Sequence, residues 1–143
     1  MTTEPTLSPE RVQAALHAPN VHPRHRALLA LVAAGLYFPE IGSVRVGDVL
    51  FTPNGRSAQV RFRRCGNLSA LARRRAAHCL VNGVGVPALR DALRDARGVF
   101  RGPNRPLFES QRGGGPVSAE GLRDLAVRAV LRVEGRTPPG GGS

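Results

Sequence analysis

The sequence predicts an α+β fold that is mainly helical and contains a small three-stranded antiparallel sheet. Apolar residues recur at helical spacing over most of the chain, which predicts the helices. Between residues 49 and 81 the spacing changes to alternation around the turn signal Pro53-Asn54-Gly55, which predicts the strands. The length of 143 residues is typical of one domain, and with 41% apolar residues but no Trp we expect a core of Leu, Val and Ala.

The first two helices are predicted from their capping signals. Ser8 is a typical N-cap and Pro9 a typical first helical residue, after a lead over residues 1–7 that we expect to be disordered. Pro23 opens the second helix, and Gly35 stands near its end. Because this second segment is apolar on nearly all sides, we expect it to be the central core helix.

Three further helices are predicted in the same way. A short one starts at Pro39-Glu40 and ends near Gly47, and another opens at Pro87. The last helix covers residues 119–133, and Ser118 is its N-cap. The sheet is therefore expected between the third helix and the fourth.

The central strand alternates in character. The residues that face inward are Ala58, Val60 and Phe62. Those that face outward are Gln59, Arg61 and Arg63. This alternation predicts a half-buried strand that displays its arginines to solvent or to a ligand. With strands at 49–51 and 76–81 on either side, the segment forms an antiparallel meander.

The chain is expected to form one domain over residues 8–135. The tail over residues 136–143 is interpreted either as disordered or as an expression remnant. No run approaches the 18 or so apolar residues of a membrane span, and no signal-peptide pattern stands at the N-terminus, so we expect no membrane association.

The formal net charge is +11, and every basic residue counted in it is an arginine. A GC-rich genome explains arginine in place of lysine, and phosphate recognition by the planar guanidinium is the functional alternative. Codon usage does not explain the excess of positive over negative charge, which indicates a polyanionic partner such as nucleic acid.

The charge is also localised. Residues 49–90 carry eight arginines and no acidic residue, so +8 of the net charge of +11 lies in under a third of the chain. A solvated surface normally mixes both signs, and codon usage would not place charge in one block. We therefore predict a polyanion-binding surface in this block, with a merely solubilising surface as the alternative.

No catalytic or metal-binding pattern stands out from residue spacing alone. His22 and His25 lie beside arginines, and we interpret them as a helix entry on a basic surface. Cys65 and Cys79 fit two reduced, small, buried or half-buried residues, because a zinc site would require further ligands at characteristic spacing. We predict no metal and no cofactor.

Several short segments occur in the order that a known family shows. Gly35 and Leu36 end an apolar helix, Glu40 follows, and Asp48 precedes the predicted hairpin. The segments VRFRRCGN and RRRAAHCLV stand where that family has its second strand with its turn and its third strand, and PLFESQRGGGPVSAEGLRDLAVRAV stands at its loop and helix. In this order residues 24 to about 135 resemble the N-terminal part of the catalytic domain of tyrosine recombinases, the phage-integrase family.

The resemblance also implies which catalytic groups are missing. Tyr37 stands at the position of the family's first catalytic arginine, and Cys65 at that of its general-acid lysine, which nothing replaces because the chain has no lysine. The family's His-x-x-Arg box and nucleophilic tyrosine lie beyond the last helix, where this sequence stops. Strand transfer needs a nucleophile, two arginines and an acid, so we expect no recombinase activity and interpret Tyr37 as a packing residue.

In the family, the hairpin and the start of the core helix face DNA, and here the same hairpin holds the arginine block. We therefore predict a catalytically inactive, recombinase-like protein that binds double-stranded DNA in the cytoplasm, associated with the nucleoid. The predicted DNA contacts are Arg61, Arg63, Arg64, Arg73, Arg74, Arg75, Arg24 and Arg26.

Two alternatives remain at this point. One is a protein-interaction module that dimerises or regulates an intact recombinase, because the apolar helix over residues 24–36 would be only partly covered in a shortened domain. The other is a decayed fragment without a selected function.

Overall fold

Five helices and a three-stranded antiparallel sheet make up the described part of the chain, which in this computed structural model is residues 7–63, 76–95, 97–110 and 115–135. The predicted α+β class is confirmed. In chain order the elements are α1 (Pro9–His17), α2 (Pro23–Ala33), α3 (Phe38–Gly42), a 3-10 helix (Val46–Asp48), β1 (Val49–Phe51), β2 (Ser57–Arg63), β3 (Ala76–Asn82), α4 (Gly85–Ala92) and α5 (Ala119–Val133). The predicted tail and all of the predicted lead except Leu7, which packs against the core, lie outside the described residues.

Side-chain caps fix the starts of the long helices. The Oγ of Ser8 accepts a hydrogen bond from the amide of Arg11 at 3.3 Å, and the Oγ of Ser118 accepts one from the amide of Gly121 at 3.1 Å. Each bond satisfies an amide that has no partner inside its own helix. Both predicted N-caps are confirmed.

Two predicted helix boundaries are wrong. The third helix ends at Gly42 rather than near Gly47, because the chain there turns into the 3-10 helix and the amide of Gly47 bonds to the carbonyl of Pro103 at 2.9 Å. The fourth helix begins at Gly85, two residues before Pro87. Proline is tolerated throughout the first helical turn, where its missing amide has no intrahelical partner to lose.

The sheet has the order β1-β2-β3, with all neighbours antiparallel. On its inner face the side chains of Ala58 and Val60 are fully buried and that of Phe62 is half-buried, as the alternation predicts. The outer face carries Gln59, Arg61 and Arg63, all exposed.

Helix α2 runs through the centre of the core. Residues 27–31 are each at most 4% exposed, and α2 packs against α1, α4 and α5. The expectation that this apolar helix is only partly covered is therefore wrong for residues 27–31, which the described helices bury within the chain itself, whereas Val32 is half-buried and Ala33 is exposed. No helix in the described ranges is long and apolar enough to cross a membrane.

Candidate nucleic-acid interface

The outer face of the sheet presents two of the predicted DNA contacts side by side. Arg61 and Arg63 lie two residues apart on β2 and therefore point to the same side. The register places His78 of β3 opposite Arg61 and Ala76 opposite Arg63. Arg61, Arg63 and His78 are all exposed, so this face can meet a ligand without rearrangement of the fold.

Beside this face lies a cleft of about 460 Å³, hereafter the basic cleft. The segment after α3, the end of β2 and the loop before Leu107 form its walls. Its lining residues are Ser43, Arg45, Gly47, Asp48, Arg61, Phe62, Arg63, Pro103 and Asn104. Three arginines thus converge on one concave surface.

Backbone hydrogen bonds hold the walls of the basic cleft together. The amide of Val46 donates to the carbonyl of Arg105 at 2.9 Å, beside the bond from Gly47 to Pro103. A Cβ on Gly47 would stand only 3.0 Å from atoms of Pro103, so this close approach of two backbones favours glycine. The cleft is therefore built into the fold rather than formed by side chains alone.

A serine joins the end of β2 to α3. The Oγ of Ser43 donates to the carbonyl of Glu40 at 2.6 Å and accepts from the amide of Arg63 at 2.9 Å. Glu40 is only 6% exposed, and its Oε1 accepts from the amide of Tyr37 at 2.8 Å. These bonds fix the backbone from which Arg63 projects.

The cleft has an excess of positive charge. Asp48 is the only carboxylate among its lining residues, against three arginines. Its Oδ1 lies 3.2 Å from the Nη2 of Arg61, and its Oδ2 accepts from the amide of Arg45 at 2.9 Å. Within the described ranges no carboxylate pairs with the side chain of Arg45 or of Arg63, so two guanidinium groups remain for a ligand.

This arrangement is suited to binding rather than to proton transfer. Arginine stays protonated at all ordinary pH values, and its planar fork donates two parallel hydrogen bonds to a phosphate or carboxylate. The described residues contain no group of three His, Cys, Asp or Glu side chains that could hold a metal ion. The side chains of the cleft are therefore suited to binding an anion.

The structure separates the predicted contacts into three groups. Arg61 and Arg63 line the basic cleft, whereas Arg24 and Arg26 are half-buried and do not. Arg24 donates to the carbonyl of Glu109 at 2.7 Å, and Arg26 to that of Ala18 at 2.6 Å, so both hold backbone segments in place. The remaining predicted positions lie outside the described residues; these are Arg64, Cys65, Arg73, Arg74 and Arg75.

Two other predicted residues have definite surroundings. Tyr37 is 69% exposed, so its interpretation as a packing residue is wrong: it is the N-cap of α3, where its backbone bonds to Glu40 while its ring points away from the core. Cys79 is a free, half-buried thiol, and burial raises its pKa. His22 and His25 lie at the entry to α2, as expected.

Sequence reasoning missed Arg45, the third arginine of the cleft. Arg45 lies between the buried residues Val44 and Val46, and it is itself exposed. A single charged residue between two inward apolar residues is the signal that could have identified it. Localisation of charge does not identify it, because Arg45 precedes Asp48 and so lies outside the acid-free block.

Comparison with known proteins gives no assignment for this chain. No protein-family model matches it, and no curated protein matches it either.

Proposed function

We propose that this chain binds the phosphate backbone of double-stranded DNA through the basic cleft and the adjoining outer face of the sheet. The observation that carries the proposal is the convergence of Arg45, Arg61 and Arg63 on one surface that holds a single carboxylate. Each guanidinium group can donate two parallel hydrogen bonds to phosphate oxygens, and the counterions released from DNA supply free energy of binding.

Charge and composition support DNA over other polyanions. The acid-free stretch from residue 49 to residue 90 includes both β2 arginines, so positive charge is concentrated in the part of the sequence that forms one wall of the cleft. Only 4% of residues are aromatic, which disfavours single-strand binding by base stacking. The resemblance to tyrosine recombinases supports the same surface, since the family's hairpin faces the duplex.

The proposal implies weak sequence preference and strong salt dependence. Contacts to phosphate position a protein on DNA but carry no sequence information. A protein of this kind would be associated with the nucleoid, and it would bind DNA without cutting it, because arginines alone supply neither a nucleophile nor a proton donor.

A salt titration with matched variants tests the proposal. Arg61→Gln combined with Arg63→Gln should weaken duplex binding and lower the slope of log K against log salt by about two, since each phosphate contact contributes about one. Arg97→Gln combined with Arg128→Gln removes the same charge from exposed positions outside the cleft and should change the slope far less. If both double variants lost the same affinity for duplex DNA, net charge alone would account for binding. That result would contradict the proposal that the cleft is the binding site.

The shape of the ligand is measured in the same assay. Duplex, single-stranded and branched DNA of equal length are compared at one salt concentration, and we expect duplex or branched DNA to bind more tightly than single-stranded DNA. Preference for the single strand would contradict the proposal, because the chain has few aromatic side chains on which unpaired bases could stack.

A second candidate function, pairing with another protein chain, is favoured by one observation. Leu50 and Leu80 are 63% and 56% exposed and flank Gln59 in one row across the outer face of the sheet. A second copy of this chain could cover that row. Gel filtration with light scattering tests this candidate: a dimer that Leu80→Thr converts to a monomer supports it, and a monomeric wild type contradicts it.

A further inference from the structure

A second concave site lies away from the basic cleft, between the turn that joins α1 to α2 and the last turn of α5. It has a volume of about 700 Å³ and shares no lining residue with the basic cleft. We name it the histidine pocket; its principal lining residues are His22, His25 and Arg132 on the polar side and Val21, Ala129 and Val133 on the apolar side. Volumes of 300 to about 1,000 Å³ with few polar groups are usual for small-molecule sites.

The two histidines line the polar side of this pocket. Their ring centroids lie 5.5 Å apart. The Nδ1 of His22 accepts a hydrogen bond from the amide of Arg24 at 3.1 Å, so in the neutral ring the proton sits on Nε2. His22 therefore has a donor left over for a ligand while it caps the helix.

The charge around the pocket is one-sided. The first turn of α2 has no acidic residue and carries Arg24, His25 and Arg26, although the positive end of a helix disfavours cations. Arg132 approaches from α5, and no partner contacts its guanidinium in the parts of the chain that the structure describes. No acidic residue among the lining residues neutralises this positive charge. A bound anion would therefore stabilise the arrangement.

The neighbours of His25 all act on its pKa in the same direction. Burial is the largest cause that lowers this pKa, and the nearby His22, Arg132 and Arg24 lower it further. At the carboxyl end of α5 the carbonyl of Val130 accepts from the amide of Glu134 at 3.0 Å and that of Arg132 from the amide of Gly135 at 3.1 Å. The side chain of Arg132 lies in the same last turn, so its positive charge offsets part of the negative end of α5.

We propose that the histidine pocket binds a small organic anion, whose charged group pairs with His22, His25 and Arg132 and whose apolar body lies on Val21, Ala129 and Val133. The combination of a cationic side and an apolar side in one cavity selects against both free inorganic ions and neutral apolar molecules. This site is independent of the proposed DNA surface, and each can fail without the other.

Calorimetric titration with a matched set of probes tests the proposal. Benzoate carries both features, acetate carries only the charge, benzamide carries only the ring and its polar group, and phenyl phosphate exchanges the carboxylate for a phosphate. We expect benzoate or phenyl phosphate to bind about tenfold more tightly than acetate, because the ring buries apolar surface in the pocket. Benzamide should not bind measurably. The proposal is overturned if benzamide or acetate binds as tightly as the aromatic anions, or if neither benzoate nor phenyl phosphate binds.

Variants separate this site from the basic cleft. Arg132→Gln should reduce the affinity for the aromatic anion at least about fivefold, which is the order of one charge-assisted hydrogen bond. Arg128→Gln, on the same helix but outside the pocket, is the matched control and should not change it. Both variants should keep duplex binding, and an Arg132→Gln protein that binds the anion like wild type contradicts the site.

A spectroscopic readout gives a further test that does not depend on a variant. A bound anion favours the charged imidazolium, so saturating benzoate should raise the pKa of His25, followed by NMR of its ring. Because the pKa of His25 without a ligand lies below its ordinary value of 6.5, affinity should correspondingly increase as the pH falls below 6.5 toward that lowered pKa. An unchanged titration of His25 under saturating ligand would overturn the assignment of the charged group to this pocket.

Discussion

The carboxylate of Asp48 lies 3.2 Å from the guanidinium of Arg61 inside the basic cleft, so the cleft contains its own competitor for one of its cations. The Arg61 side chain is 57% exposed, and an ion pair of that exposure contributes little to stability. Its main effect is on ligand binding. A phosphate that binds Arg61 must either displace the carboxylate of Asp48 or share the guanidinium with it.

Asp48→Asn should therefore tighten DNA binding. The amide oxygen of asparagine can still accept from the amide of Arg45, so the 3-10 helix keeps its start while one negative charge is removed. We expect an affinity gain of about three- to tenfold at low salt, which fades as salt rises. Fluorescence anisotropy of a labelled duplex measures it.

Asp124→Asn is the control for that measurement. Asp124 is an exposed carboxylate on α5, 3.8 Å from Arg128 and outside the cleft. It removes the same charge from another surface. Equal gains from both substitutions would mean that only net charge matters, and no gain from Asp48→Asn would mean that Arg61 does not contact DNA.

Arg101 should be the arginine on which folding depends most. Its guanidinium donates to the carbonyls of Pro106, Ala92 and Leu107 at 2.9, 2.7 and 2.7 Å, and its side chain is only 14% exposed. Arg101→Met leaves three backbone acceptors without this donor, which should cost about 3 kcal/mol in the free energy of unfolding. Urea denaturation followed by circular dichroism measures the loss.

The exposed Arg97 provides the comparison for Arg101. Only its backbone amide makes a hydrogen bond in the described structure, to Asp95. Arg97→Met should change the free energy of unfolding by less than about 0.5 kcal/mol, as is usual for surface substitutions. If the two variants unfolded at the same urea concentration, the role of Arg101 as a tie between the loop and α4 would be wrong.

Gly85 is expected to tolerate no side chain. A Cβ there would stand 2.7 Å from the Cβ of Ala30 and 2.8 Å from the Cγ1 of Val81, both in the core. Gly85→Ala should therefore destabilise the fold by about 1–3 kcal/mol through overpacking, although alanine is the better helix former. Thermal unfolding measures the effect.

Gly115→Ala shows what the same substitution does where there is space. Among the described residues other than its own chain neighbours, no atom lies within 4 Å of a Cβ at that position, and its φ is not in the left-handed region. It should leave the melting temperature unchanged or slightly raised. A Gly85→Ala protein as stable as Gly115→Ala would show that α2 and α4 can separate without cost.

Local signals in the sequence account for most of the fold. Ser8, Pro23 and Ser118 mark helix starts because capping depends on one or two residues and their immediate amides. The alternation around Val60 predicts the face of each β2 side chain, because a strand has a period of two.

The misses depend on contacts between distant residues. The end of α3 is set by a bond from Gly47 to Pro103, and the exposure of α2 is set by helices that the sequence does not place around it. For the same reason, the sequence predicts only two of the three arginines of the basic cleft. Arg61 and Arg63 follow from strand period, whereas Arg45 joins them only because the loop at Pro103 folds over the segment between α3 and β1.

Stability in acid should depend on Glu109. Arg105 donates to both of its carboxylate oxygens, at 2.5 and 2.9 Å, and this pairing, with a smaller effect of Arg101, lowers the pKa of Glu109 below its ordinary value of 4.5. A group whose pKa is lower in the folded state binds fewer protons there than in the unfolded chain. Its stabilising contribution is therefore complete above pH 4.5 and is lost as the pH falls through the folded pKa.

The comparison of wild type with Glu109→Gln isolates this contribution. His25, whose pKa is lowered from an ordinary 6.5, also makes the fold less stable as the pH falls below that value, but it does so in both proteins and cancels in their difference. We expect the difference in the free energy of unfolding to be constant near neutral pH and to shrink below pH 4.5. Urea denaturation at a series of pH values measures it. A difference between wild type and Glu109→Gln that stays constant down to strongly acidic pH would mean that the Arg105 pair does not persist in solution.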